Sequence, residues 1–317
     1  MLNGRDRWWT ASFTAMGTTV DVLGHGGPPG ADRVARALVE RLESHWSRFR
    51  PDSDLSALNR DPAGTVEVGP ALADALERAG RAHAATDGHF DPTVLDALEA
   101  AGYDRPFREV RDRPAVPADG GAPVPGFGSL RVEREDGRAL VIRPPGVRVD
   151  LGGIGKGLAA DRVVAELLRV GVRSAVASMG GDLRVGGSPP RGGWRVPVED
   201  PWDDRSRLVE VVLTEGAVAT STTRMRRWPT DDGGWAHHLI DPTTGRPAAS
   251  GLAAVVVVAA EAWWAEALAK AALVAGEEAG RALLLRHGAT GWLVREDTEV
   301  VPVGAAPGVA RPAPATT

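Results

Sequence analysis

The chain has 317 residues, 43% of them apolar and 25% charged, with a formal net charge of -5. A mildly acidic chain with no basic run is a poor candidate for a nucleic-acid or polybasic membrane binder. It contains no cysteine, which excludes disulfides, zinc thiolate centres, thiol catalysis and a lipid anchor on cysteine.

Met1 to Thr10 carries charge before Trp8-Trp9, and no apolar core of a secretory signal follows. The longest apolar run, Leu252 to Ala260, ends at Glu261. It is too short for a membrane span of about 20 residues. The expectation is a cytoplasmic protein without membrane insertion.

In chain order, Ser12-Phe13-Thr14 and Met16 to Val22 read as strand, followed by a Gly/Pro loop from Gly24 to Gly30. Ala31 to Trp46 is a helix, with Val34, Leu38, Leu42 and Trp46 at a spacing of four. Ser53 to Asn59 is a short capped helix or turn, and Ala71 to Ala85 a second amphipathic helix. Asp104 to Gly128, rich in Pro, Gly and charge, reads as a long surface loop. A hairpin turns at Asp136-Gly137. Val147 to Leu151 reads as a strand, Gly157 to Val170 as a helix stopped by Gly171, and Ser174 to Ser178 as a strand.

Trp194 to Glu199 and Leu208 to Leu213 alternate like half-buried strands, and Val255 to Ala259 is a continuous apolar strand. Helices at Ala262 to Ala275 and Gly280 to Arg286 precede a final strand, Gly291 to Glu296. Pro302 to Thr317 has the composition of a disordered tail. Strands and helices interleave without a regular βαβ beat, so the expected class is α+β, with mixed or antiparallel sheets and packed helices. Residues 1–301 are taken as a single domain.

Three glycine-bearing segments carry candidate chemistry. Asp150-Leu151-Gly152-Gly153-Ile154-Gly155-Lys156-Gly157 precedes a helix, whose N-terminus favours an anion such as phosphate. It is not a Walker A loop, because Gly157 stands where Ser or Thr is required. Gly155, Gly157 and Ala160 fit a looser G-x-G-x-x-A dinucleotide pattern, with Asp182 about 20 positions on but in a turn after Gly180-Gly181. This leaves a nicotinamide oxidoreductase as a competing reading. The second segment is Ser178-Met179-Gly180-Gly181-Asp182, and the third holds His237-His238 before Leu239-Ile240-Asp241-Pro242 and Gly245. Adjacent strand residues face opposite ways, so one of the two histidines at most addresses a site.

Seven segments in order resemble the ApbE family of FAD:protein FMN transferases. They are Met16-Gly17-Thr18, Phe49 to Leu55 leading to Leu58-Asn59, Asp87 to Thr93, the Asp150 to Gly157 loop, Gly180-Gly181-Asp182, Ala219-Thr220-Ser221, and His238 to Pro242. The resemblance implies a T-fold-like architecture. It also implies an enzyme that binds FAD, cleaves its diphosphate with Mg²⁺, and moves FMN to a threonine of an acceptor flavoprotein. FAD hydrolysis and FAD binding without turnover are the alternatives.

By the same resemblance Met16, Phe49, His89, Phe90, Asp91, Gly152, Leu158, Asp182 and Leu239 belong to the FAD site. His238 is the catalytic group, and the Gly155 carbonyl and Glu266 are metal ligands. The chain departs from the family in its late helix. Where the family has Ala-Asp-Ala-Leu-Ser/Ala-Thr, this sequence reads Ala265-Glu266-Ala267-Leu268-Ala269-Lys270. An ammonium cannot ligate a metal. Either Glu266 and Lys270 form an i,i+4 pair on an exposed face, or the Lys270 ammonium stands in the place of the metal and neutralises a phosphate. Arg224, Arg226 and Arg227 read as a solvated basic turn, or as contacts to a phosphate.

Overall fold

The computed structural model describes residues 7–115, 121–203 and 205–305. Its helices are α1 (Ala31–Trp46), α2 (Asp54–Arg60), α3 (Pro70–Ala85), α4 (Leu95–Ala100), α5 (Phe107–Val110), α6 (Gly155–Arg169), α7 (Ala262–Ala275) and α8 (Glu277–Arg286). The main sheet has eight strands in the spatial order Trp8–Ala15, Thr18–His25, Ser174–Met179, Asp182–Gly187, Gly216–Thr222, Leu252–Ala259, Thr290–Arg295 and Val300–Val303. Every neighbouring pair in it is antiparallel. The class is α+β.

The strand Leu252–Ala259 explains the layering. Val255 and Val257 join the core under α1, α6 and α7, whereas Val256 joins a second core on the other face. That second core is closed by the hairpin of Trp194–Glu199 and Arg207–Leu213, which contributes Trp194, Val196, Val198, Val209, Val211 and Leu213. Burial on both faces is why the Leu252–Ala259 sequence is apolar without alternation. A third cluster joins Leu98, Tyr103, Val110, Trp228 and Ile240.

α6 and α7 lie in close contact. A Cβ on Gly157 would run into the Ala262 carbonyl and approach Trp263 N to 2.7 Å. Asp161 of α6 accepts hydrogen bonds from Ala262 N and Trp263 N, each at 2.9 Å, and so caps α7 from the neighbouring helix. The glycine that rules out a Walker A loop is therefore required by helix packing.

Several sequence expectations need correction. Met16 and Gly17 form the hairpin turn, with φ of 52° and 67°, and are not strand interior. Val147 to Leu151 forms no strand and pairs with none among the described residues. The Asn59 side chain instead donates to Val149 O and accepts from Val149 N, at 2.8 and 2.9 Å, and Asp150 N bonds Pro92 O. Segment 104–128 is not simply a surface loop. It contains α5, with Val110 buried in the third cluster, and a short 3₁₀ turn that buries Phe127; residues 116–120 lie outside the described residues.

Asp182 opens a strand and does not sit in a turn. Pro302 and Val303 belong to the edge strand and not to a tail, while 306–317 lie outside the described residues. The dinucleotide reading loses its strand–helix–strand unit, since no strand leads into α6. No described helix is long and apolar enough to cross a membrane.

Candidate functional site

A cavity of ≈ 820 Å³ opens between the Met16-Gly17 turn, the C-terminal end of α1, the α6 glycine loop and the His238 segment. That volume lies in the range of small-molecule and cofactor sites. Its lining differs from one end to the other.

One end is aromatic. Phe49 and Tyr103 lie with ring centroids 5.7 Å apart, and Tyr103 and Phe107 meet edge to face at 6.4 Å. The Arg48 guanidinium packs on both of the first two rings, 4.1 Å from the Phe49 centroid and 4.6 Å from that of Tyr103. It is held by Asp150 at 2.7 Å and donates to Tyr103 O at 2.8 Å. Phe49 remains 36% exposed, so one ring face is free for a planar ligand.

The other end is cationic. Lys156, Lys270, Arg226 and His238 all line it. Behind the ammonium groups lie two carboxylates outside the cavity wall, Glu266 and Asp182, whose side chains are 0% and 2% exposed. Glu266 Oε1 receives both Lys156 Nζ and Lys270 Nζ at 3.0 Å, and its Oε2 accepts from Gly157 N at 2.8 Å. Lys156 also pairs with Asp182, which in turn accepts from Thr220 N at 3.3 Å.

The electrostatics follow from these contacts. Burial pulls Lys156 down to about 8, Glu266 opposing the shift and Lys270 and Arg226 adding to it. Lys156 is thus still mainly charged at neutral pH. Burial alone would raise Glu266, but Lys156, Lys270 and the Gly157 N–H hold it well below the usual carboxylate value. Desolvation and the positive field of Arg226, Lys270, His237 and Lys156 push His238 well below the ordinary imidazole value. His238 is therefore a neutral imidazole in a cationic wall. Its Nδ1 is buried without a hydrogen-bond partner among the described residues. His237 faces the other way, with Nε2 on Ala248 O at 3.1 Å and Nδ1 accepting from Leu239 N at 3.3 Å.

The cavity brings together Met16, Phe49, His89, Phe90, Asp91, Gly152, Gly155, His238, Leu239 and Lys270 from the sequence expectations. Three expected residues are not in its wall. Leu158 is a core residue beneath it, and Asp182 and Glu266 act from behind the lysines. Asp91 is committed to structure, accepting from Thr93 N, Thr93 Oγ1 and Phe127 N at 2.8, 2.6 and 3.1 Å, with His83 Nδ1 at 3.3 Å. Gly152 N is turned to Asp150 Oδ1 at 2.7 Å.

Of the basic turn, only Arg226 reaches the cavity. Arg224 and Arg227 cover the rings of Trp202 and Trp235. Sequence reasoning passed over Lys156, Arg48 and Tyr103. The Gly155-Lys156-Gly157 triplet carried a signal for the first, since a lysine at the start of a helix after a glycine loop is placed to meet an anion. Arg48 and Tyr103 carried none.

The Mg²⁺ site implied by the resemblance does not fit these residues. Both Glu266 oxygens are already engaged, the position four residues on is an ammonium, and a second ammonium shares the same oxygen. Two positive charges beside the carboxylate oppose a divalent cation. Among the described residues, no group of three or more His, Asp or Glu side chains is arranged to hold a metal.

The profile of the ApbE family matches residues 16–293. The chain is 32% identical over 275 residues to an FAD:protein FMN transferase from Rhodobacter capsulatus, covering 84% of this chain but only 51% of that relative. It is 30% identical over 284 residues to an FAD:protein FMN transferase from Vibrio cholerae, covering 86% of this chain and 83% of the relative. Among solved structures, an ApbE protein from Thermotoga maritima superposes with a TM-score of 0.82 at 29% identity, covering 94% of this chain and 97% of that one. The flavin transferase ApbE of Vibrio cholerae superposes at 0.77 with 26% identity, again over 94% of this chain and 97% of the other. With the profile spanning most of its length and the fold shared throughout, this chain belongs to the ApbE family.

Proposed function

We propose that this chain is an FAD:protein FMN transferase, cleaving the diphosphate of FAD and moving the FMN half to a threonine hydroxyl of an acceptor flavoprotein. The observation that carries the reading is the polarity of the cavity: stackable rings at one end, and ammonium groups with a neutral imidazole at the other. A dinucleotide offers the matching pair of features, a planar ring system and a diphosphate.

In the transfer, the threonine Oγ attacks the FMN-side phosphorus, a new P–O bond forms, and the bond to the AMP oxygen breaks. Phosphoryl transfer asks little of the protein beyond positioning and charge stabilisation. His238 takes the hydroxyl proton; its depressed basicity keeps it unprotonated and ready to accept at neutral pH. Phe49, with the Arg48 guanidinium against its inner face, holds a ring of the dinucleotide. The cations at the far end neutralise the charge that builds on the phosphate oxygens.

The test is incubation with FAD and a threonine-bearing flavoprotein acceptor, following AMP release and flavin fluorescence on the denatured acceptor. One AMP per flavin attached is the expected result. AMP and free FMN without attachment would make the chain a hydrolase. Tight FAD binding with no AMP released to any acceptor would overturn the catalytic reading.

A further inference from the structure

We propose that Lys156 and Lys270, joined through Glu266, form a two-ammonium clamp that binds the diphosphate of the dinucleotide in place of a divalent cation. The proposal rests on the reading of the cavity as a flavin dinucleotide site.

Three observations carry it. First, the charges are layered: the ammonium groups reach the cavity, and the carboxylates that hold them do not. An anion entering the cavity meets Lys156, Lys270 and Arg226 before it meets Glu266 or Asp182. Secondly, the ammonium groups keep donors free. Each has three N–H bonds; Glu266 takes one from Lys270, and Glu266 and Asp182 take two from Lys156. Two remain on Lys270 and one on Lys156, and phosphate oxygens accept such charge-assisted bonds well.

Thirdly, Lys270 is placed by the fold. Its stem crosses the glycine loop where a Cβ on Gly153 would come within 3.3 Å of Lys270 Cδ and 2.9 Å of the Phe90 ring. The missing side chain at Gly153 leaves the channel through which Lys270 reaches the cavity. The i,i+4 pair of Glu266 and Lys270 is real, but it lies inward, the lysine side chain only 13% exposed. Two ammonium groups supply the same total charge as one divalent ion. They do so without ligand exchange, and on a carboxylate whose two oxygens already accept three hydrogen bonds.

The experiment is calorimetric titration of FAD, ADP and riboflavin into the full chain, in EDTA and in Mg²⁺. ADP carries the diphosphate without the flavin, and riboflavin the flavin without phosphate. The clamp predicts that FAD and ADP bind in EDTA with dissociation constants within about 3-fold of those in Mg²⁺, well under the tenfold that 1.4 kcal/mol represents. Lys270→Gln weakens both by about 10-fold or more, the value of a lost charged hydrogen bond, and leaves riboflavin unchanged.

Binding of FAD and ADP only with Mg²⁺ overturns the clamp while leaving the proposed transferase intact. Absence of FAD binding under both conditions overturns both. A second readout needs no nucleotide: the electron paramagnetic resonance signal of free Mn²⁺. The unmodified chain leaves this signal undiminished, and the double variant Glu266→Asp/Lys270→Thr diminishes it. Uptake of Mn²⁺ by the unmodified chain contradicts the proposal.

Discussion

The cationic end of the cavity stands on two long helices in contact, α6 and α7, whereas the aromatic end stands on the four-residue α5 and irregular chain around Tyr103. The first is fixed by backbone: Gly157 allows the helices to touch, and Asp161 and Glu266 each accept backbone N–H groups across the seam. The second is fixed by side chains: Tyr103 leans on Trp228 at 5.4 Å, and Trp228 Nε1 donates to Ala101 O at 2.8 Å. Charges whose positions relative to a phosphate must hold to about a few tenths of an ångström gain from the rigid support. Rings that must accept a planar ligand tolerate the softer one.

The largest expected effect lies at the cationic end. His238→Ala lowers the rate of FMN transfer by about 10² to 10⁴, the usual worth of a general base, and leaves FAD affinity nearly unchanged. His237→Ala, which removes only backbone contacts, costs far less activity; equal losses would contradict the assignment of His238. Gly157→Ala comes next. Its methyl group meets backbone atoms of Ala262 and Trp263 that cannot give way, so overpacking destabilises the chain by about 3 kcal/mol, measurable by urea denaturation. Tyr103→Leu, at the softer end, weakens FAD binding by about 1 kcal/mol, the scale of a lost aromatic contact, with little change in the binding of inorganic diphosphate, which has no ring. A larger loss for diphosphate than for FAD would reverse the assignment of the two ends.

The smallest effect is a pH-dependent one beneath the cavity. Asp91 is held below its ordinary value: burial works against this, and the hydrogen bonds from His83 and Thr93 prevail. Hydrogen bonding to Asp91 raises His83 above its ordinary 6.5. The Asp91 contribution is present above the ordinary carboxylate value of 3.8 and is lost as pH falls through its depressed value. The His83 contribution is full below 6.5 and is lost as pH rises through its elevated value. His83→Gln therefore costs about 1 kcal/mol between roughly pH 4 and 6.5, and less at pH 9. A gap that widened with rising pH would contradict the charged pair.

Legibility in the sequence followed the same division. α1 begins and ends where its spacing of four predicts, and Ser53 caps α2 by accepting from Ser56 N at 3.0 Å. The glycine loop was recognisable from composition, because tight turns and close approaches require residues without a Cβ. The strands Gly216–Thr222 and Asp182–Gly187 were not recognised. The first consists of small residues pressed between α7 and the second core, so it has neither alternation nor bulk. The second ends in Gly186-Gly187, residues of low strand propensity that the packing demands, since a Cβ on Gly186 would approach Val164 of α6 to 2.8 Å.

At the site, the loops and His238 were legible as short patterns. Lys156 was overlooked because the loop was judged by the Ser or Thr it lacks, and the inward direction of Lys270 depends on helix orientation, which spacing alone does not supply. Arg48 and Tyr103 depend on tertiary contacts that leave no periodic trace.

The most direct test of the account is a crystal structure of the full chain with FAD, grown in millimolar Mg²⁺. The account predicts a flavin or adenine ring against Phe49, the diphosphate oxygens within hydrogen-bond distance of Lys156 and Lys270, and Glu266 still bound to both ammonium groups. A six-coordinate ion with Glu266 among its ligands and Lys270 turned out of the cavity would contradict it.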